Sequence, residues 1–293
     1  MIHATSLIAS WLKQHGAAER SFGRALQRYF AEQADRTAET IRENFPGALP
    51  FPSQMPLIFD ANAEHEKLRP IVRRNLAGLL IVGAKAEAQA VQRRLEGKAY
   101  GDDFADVDLP PETLAGLRRA LDELEGQDYW KKIQSETEAN LTSIIEQAII
   151  DKADNYQLGM RIREHLGGMP ANKRAQKIAR TETTGAMNAG HFAYMDSLIE
   201  EGIVTGKEWN AIGDSDCRDS HAALSGKVVP AREMFIVGSS PAPHPGHWSL
   251  PAKERVNCRC VVLSVFSGTA FDVGIPDGED VDVNGAAAAY GNV

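Results

Sequence analysis

No run of apolar residues in this chain is long enough to cross a bilayer. A membrane helix needs about 20 consecutive apolar residues, and the longest candidate, Leu76 to Val82, falls far short. Met1 to Lys13 lacks the basic region, apolar core and small-residue cleavage site of a secretory signal, so none is expected. Cysteine is scarce: three residues in 293, at Cys217, Cys258 and Cys260. An odd count without an export signal argues against a disulfide framework. No segment supplies a glycine-rich phosphate loop or a complete nucleophile, base and oxyanion arrangement. Lysine and arginine are absent from Val261 onward, where Asp272, Asp277, Glu279, Asp280 and Asp282 make the charge acidic. The net charge of −8 excludes a protein that coats nucleic acid over its whole surface, because phosphate neutralisation needs clustered Lys and Arg. What is present is ordinary: 43% hydrophobic and 25% charged residues, enough chain for two modest domains with real cores.

Helical spacing governs the first two-thirds. Phe22, Leu26, Tyr29 and Phe30 share one helical face. Phe45 to Pro56 breaks the pattern with prolines. Leu68, Ile71, Val72, Leu76, Leu79 and Leu80 make the next stripe, with Pro70 starting or kinking that helix. Gly97 to Pro111 reads as a loop. Leu114, Leu117, Leu121 and Leu124 repeat at three- and four-residue steps, and Trp130 to Ala148 marks a longer helix. Tyr156 to Leu166 is closed by Gly167-Gly168, expected as a left-handed cap, and Asn172 to Glu201 is the last long helix, ending at Gly202. Beyond it Gly, Pro, Ser and Asp become dense, and short apolar segments at Lys207 to Ile212, Lys227 to Val229 and Arg259 to Phe266 suit strands. The expectation is an α+β protein. It has a helical part over 1–125, a small helix-plus-short-strand module over 126–266 and a flexible acidic tail over 267–293.

Two groups of side chains carry chemical meaning. Cys258 and Cys260 are two apart, which on a strand puts both thiols on one side. Cys217 and His221 are four apart, which in a helical turn puts them on one face. Together they supply the four ligands tetrahedral zinc needs, with His244 or His247 as alternatives to Cys217. The competing reading packs the cysteines as small hydrophobes and bonds His221 to a carboxylate. Asp214, Arg218 and His221 read either as an acid–base group or as an ion-pair network that orients a loop. Arg180 and Glu182, two apart on a helix, are expected to reach different parts of the strand module, and Trp209 and Trp248 to serve as core or anchor residues. Arg161, Arg163, Lys173, Arg174, Lys177 and Arg180 crowd one stretch. They form either a solvated helix face or a local phosphate contact.

Four pieces follow in order: Ile178-Ala179-Arg180-Thr181-Glu182-Thr183 with Asn188-Ala189-Gly190; Lys207-Glu208-Trp209 with Asp214 to His221; Leu224-Ser225-Gly226-Lys227-Val228; and Pro243-His244-Pro245 with Asn257-Cys258-Arg259-Cys260. This order resembles the phage Mu F-like head-morphogenesis family over about Gln127 to Phe266, through Arg180, Glu182, Trp209, Asp214, Arg218, His221, Gly226, Asn257, Arg259 and the two flanking cysteines. The resemblance implies a minor structural protein of a tailed phage or prophage head, not an enzyme, with the portal protein, the major capsid or scaffold protein and packaged DNA as partners and no membrane. It implies residence in the virion, after assembly in the host cytoplasm. The rival readings are a zinc-dependent hydrolase or nucleotide-transferring toxin-like enzyme using His221, Asp214 and Glu182, and an accessory DNA-binding protein using the basic stretch.

Overall fold

In the computed structural model, which describes residues 2–95 and 107–267, long helices come first and short antiparallel strands last. This is the expected α+β arrangement. The helices are α1 (Ile2–Asn44), α2 (Ala61–Leu95), α3 (Pro111–Glu125), α4 (Tyr129–Ile150), α5 (Asn155–Ile162) and α6 (Met169–Glu200). The expected Gly97 to Pro111 loop falls mostly, and the acidic 267–293 tail almost wholly, outside the described residues. Two compact units share the chain, and neither is continuous in sequence: residues 19–76 and 122–179 form one, and residues 2–18, 77–95, 107–121 and 180–267 the other. Helices α1, α2, α3 and α6 each give residues to both units.

The first unit is helical. Ala34, Ala38 and Ile41 of α1 meet Leu141, Ile145 and Ala148 of α4 and Leu158 and Ile162 of α5 in one apolar core. Phe22, Leu26, Tyr29 and Phe30 are buried, as their spacing predicts. A polar knot sits in this interior: the Glu64 carboxylate accepts from Gln33 (3.1 Å), Arg36 (2.7 Å) and Lys67 (2.6 Å). Gln134 donates to the Tyr29 hydroxyl at 2.9 Å. Asp60 starts α2 by accepting from the Asn62 and Ala63 amides, so Pro70 lies inside that helix rather than at its start. Asp154 and Gln157 make a reciprocal capping box on α5. The left-handed cap expected at Gly167-Gly168 does not form. Arg163–Gly167 widens into a π-helical turn and Gly168 keeps a φ of −90°. A left-handed glycine does follow α6, where Gly202 has φ +70°.

The second unit combines helix ends with a sheet. Strands β1 (Val204–Asn210), β2 (Lys227–Pro230) and β5 (Val261–Phe266) form an antiparallel sheet in the order β2-β1-β5, with Trp209 opposite Lys227 on one side and Val262 on the other. A separate hairpin pairs β3 (Phe235–Val237) with β4 (Ser240–Ala242) across Gly238-Ser239. Its strands are too short to show alternation in the sequence, which is why it went unforeseen. Short helices α7 (Asp219–Ala222) and α8 (Ala252–Arg255) complete the module. Trp209, Phe235, Val237, Leu250, Cys258, Cys260 and Val262 share its core with Met195 and Leu198 of α6.

Glu87 of α2 is buried beside His191 of α6 in this unit, with Oε2 3.3 Å from Nδ1. Burial raises the Glu87 carboxyl to about 7, against an opposing hydrogen bond from Ser264. Burial also lowers His191 to about 4, so both groups are neutral between those values. A carboxyl with a raised folded-state pKa loses stability as pH climbs from its unfolded value towards the folded one. Wild-type protein should therefore lose on the order of 2 kcal/mol between pH 5 and 8 from this residue. Glu87→Gln should flatten that part of the melting-temperature profile. A profile unchanged by the substitution would show that Glu87 is ionised in the folded protein.

Candidate metal centre

One face of α6 grips the segment that carries the cysteine pair. Thr181, Thr184 and Asn188 are spaced three and four residues apart and so align along the helix. The Thr181 hydroxyl accepts from the Asn257 amide at 3.1 Å, and the Thr184 hydroxyl donates to the Cys258 carbonyl. Asn188 donates to the Cys260 carbonyl at 2.9 Å and accepts from the Val262 amide at 2.9 Å. His15 Nε2 lies 2.8 Å from the Thr184 oxygen. Because the threonine proton goes to Cys258, His15 Nε2 is the donor. Burial first, then the charges of Arg180 and Arg259, lowers His15 to about 3, which keeps its ring neutral. Glu182 completes the grip through an ion pair with Arg255 of α8 at 2.6 Å, and burial raises its pKa against that arginine's pull. Thr181 and Glu182 of the Arg-Thr-Glu motif thus form one edge of the clamp.

The clamp presents two thiols to one imidazole. Asn257 takes a left-handed backbone, φ +60°, a conformation asparagine tolerates better than most residues. Cys258 and Cys260 precede β5 rather than lying on it, yet their side chains converge. His221 Nδ1 is 3.4 Å from Cys260 Sγ and 3.7 Å from Cys258 Sγ, and all three residues are buried. Hydrogen bonding from Cys260, and then from His221, pulls the Cys258 thiol well below its ordinary value. The same contact with Cys258, together with burial, pushes Cys260 up. The other imidazole nitrogen, Nε2, lies 3.3 Å from Glu254 Oε2 without hydrogen-bond geometry, and that oxygen accepts from Ser220 at 2.7 Å. Trp209 packs edge-on against the His221 ring, with centroids 5.4 Å apart. Its indole N–H turns towards Cys260 without meeting ordinary hydrogen-bond geometry.

Among the described residues, His221, Cys258 and Cys260 are the one such group, their ligand atoms all within 4.8 Å of one another. Cys217 packs against the same core but is not in the group. Arg218, the residue before α7, is extended, so Cys217 lies outside the helix and the four-residue spacing does not put it on the His221 face. His244 is buried elsewhere, 3.0 Å from the Pro245 carbonyl, and His247 bonds Ser249.

The remaining motif residues hold backbone and charge. Asp214 pairs with Arg259, not with His221, and Arg218 donates to the Val256 carbonyl. The candidate Asp214–Arg218–His221 group therefore resolves into separate structural contacts, with Glu254 as the imidazole's carboxylate partner. Gly226 has φ +77° and returns its amide to the Trp209 carbonyl at 2.8 Å. Trp209 is fully buried, as a core residue should be, whereas Trp248 is 40% exposed. In the basic stretch, Arg161 pairs with Asp151, Arg163 with Asp35 and Arg174 with Glu136. Local acids thus neutralise these three, which fits a solvated helix face. Glu254, Thr184 and His15 were not foreseen. Nothing in the Lys253-Glu254-Arg255 run separates that carboxylate from an ordinary surface charge.

The motif residues thus clamp a strand module to a helix around a buried cysteine–histidine cluster. Residues 139–263 match the family described as Phage Mu protein F like protein. Two curated relatives are similar. The chain is 27% identical over 185 residues to "Uncharacterized protein YqbB" of Bacillus subtilis (strain 168), an alignment covering 61% of this chain and 58% of that protein. It is 28% identical over 130 residues to "Minor head protein GP7" of Bacillus phage SPP1, covering 44% of this chain and 41% of that protein. The chain thus spans about half the length of these relatives. A comparison with solved structures finds no significant match. No helix among the described residues is long and apolar enough to cross a membrane.

Proposed function

We propose that this protein is a minor structural component of a phage or prophage head. On this reading it acts in capsid assembly beside the portal, has no turnover chemistry of its own, and resides in the virion after assembly in the host cytoplasm. The observation that carries the reading is the Mu F-like match over 139–263, joined by the similarity to a minor head protein. The geometry supports it. Thr181, Glu182, Asn188, Arg218 and Arg259 each bind the chain's own backbone or an internal charge. Partners are the portal protein and the major capsid or scaffold protein. Exposed apolar side chains, among them Phe51, Ile150, Tyr156 and Met160, give such partners surface to bury.

Deleting the gene from the phage or prophage that encodes it should leave capsid shells that form but are misassembled, fewer or poorly infectious. His221→Ala should act by loosening the module, so that loss of infectivity follows loss of thermal stability. Normal numbers of infectious heads without the protein would overturn the proposal. So would an Asp214→Asn protein that folds and incorporates normally yet loses a hydrolase or transferase activity.

A further inference from the structure

We propose that His221, Cys258 and Cys260 bind a structural zinc ion through Nδ1 and two thiolates, with Cys217 moving in as the fourth ligand. The inference rests on this chain's own geometry and does not depend on the head-assembly reading.

Spacing is the first support. Zn–S bonds of about 2.3 Å and Zn–N bonds of about 2.0–2.1 Å, held at the tetrahedral angle, put sulfur and nitrogen roughly 3.6 Å apart. The two distances here, 3.4 and 3.7 Å, straddle that value. Orientation is the second. Zinc-bound imidazoles almost always give their other ring nitrogen to a carboxylate, carbonyl or water, which fixes the tautomer and the ring plane. His221 turns Nδ1 to the thiols and Nε2 to Glu254, whose carboxylate is held in turn by Ser220. The liganding face is therefore formed, and a carboxylate stands 3.3 Å from the other ring nitrogen, out of line for a hydrogen bond but placed where zinc-bound histidines find their partner.

Placement is the third support. His221 sits on α7 and the cysteines sit just before β5, so a shared ion would join the two ends of a stretch that contains β2, the β3–β4 hairpin and α8. These elements are short and have little interior of their own. A cross-link there adds stability that a small core does not supply. All three ligands are buried, which suits a closed structural site rather than an open catalytic one. Cys217 is partly buried against the same core, on the loop that leads into α7. A local movement of that loop would bring it to the fourth position.

The test uses the full chain, produced with zinc in the medium and dialysed. Elemental analysis should give about one zinc per chain. Native thiol titration should find the cysteines protected until a chelator is added, and chelation should lower the melting temperature. Cobalt(II) added to the stripped protein should give the intense thiolate-to-metal absorption and visible bands of a tetrahedral site, weakened in Cys217→Ser. Glu254→Gln should remain folded by circular dichroism while binding zinc about 10- to 100-fold more weakly, the usual loss when such a partner is removed. Folded protein with no zinc, freely titrating thiols and no response to added metal would overturn the proposal. Full affinity and an unchanged cobalt spectrum in Cys217→Ser would overturn the fourth-ligand assignment.

Discussion

Gly190→Ala should abolish the native fold, whereas Gly78→Ala, on α2, should leave it intact and slightly more stable. Where α2 and α6 cross, the backbones approach with nothing between them. A Cβ on Gly190 would collide with the Leu80 carbonyl oxygen and lie 2.9 Å from its carbon and 3.0 Å from the Ala84 nitrogen. Gly83 faces the Met187 carbonyl in the same way, with the carbon at 2.8 Å. These are backbone atoms of a regular helix, so no rotamer change relieves the overlap, and the helices must separate. Separation would expose Met187 and Met195, both fully buried, and shift the α6 face that clamps the cysteine segment. The cost should be about 4–5 kcal/mol or more, at the extreme of single substitutions. Gly78 has no neighbour within 4 Å of its virtual Cβ. Alanine there should contribute about 0.5–1 kcal/mol through helix propensity. Urea unfolding of the two variants and the wild type checks this. A Gly190→Ala midpoint close to the wild-type value would show that the helices do not approach so closely.

Asn188→Ala should cost about 3–5 kcal/mol, an estimate built from the hydrogen bonds it removes. The side chain acts as a short surrogate strand, bonding the Cys260 carbonyl and the Val262 amide at the start of β5. It also donates to the Thr184 carbonyl within its own helix. Removing it leaves a buried amide and a buried carbonyl without partners, and each unsatisfied group costs about 1–3 kcal/mol. Asn188→Asp should be at least as damaging, since a carboxylate facing the Cys260 carbonyl repels it. Thr142→Ala, on the half-buried side of α4, removes one intrahelical hydrogen bond and should be nearly neutral. Thermal melts of the three proteins decide the matter. Equal stability of Asn188→Ala and Thr142→Ala would mean that the α6 clamp contributes little.

Much of this architecture was legible because helices advertise themselves by spacing. The Phe22-Leu26-Tyr29-Phe30 stripe and the run from Trp130 to Ala148 have the three- and four-residue steps that only a helix turns into one face. The division of the chain was not legible. A long helix is continuous in sequence, but its two ends join different cores, and no composition shift marks the point where α1 or α6 passes from one to the other. In the cysteine–histidine cluster, the two cysteines and His221 could be singled out as residue types. Their convergence depends on the left-handed Asn257 and on threonines of α6, neither of which leaves a periodic trace. Cys217 shows the limit of spacing rules: four residues from His221 would share a face if the helix reached it, but α7 starts at Asp219. The pairing of Asp214 with Arg259 rather than His221 is likewise set by tertiary placement, since several carboxylates precede that histidine.

Quantitative mass spectrometry of purified particles tests the assignment to the phage head most directly. A minor head protein should be found in mature particles, and in shells purified before DNA filling, at a small copy number relative to the major capsid protein. It should co-sediment with those shells through repeated gradients. Absence from both mature particles and assembly intermediates, while the protein is abundant and folded in the same lysate, would contradict it.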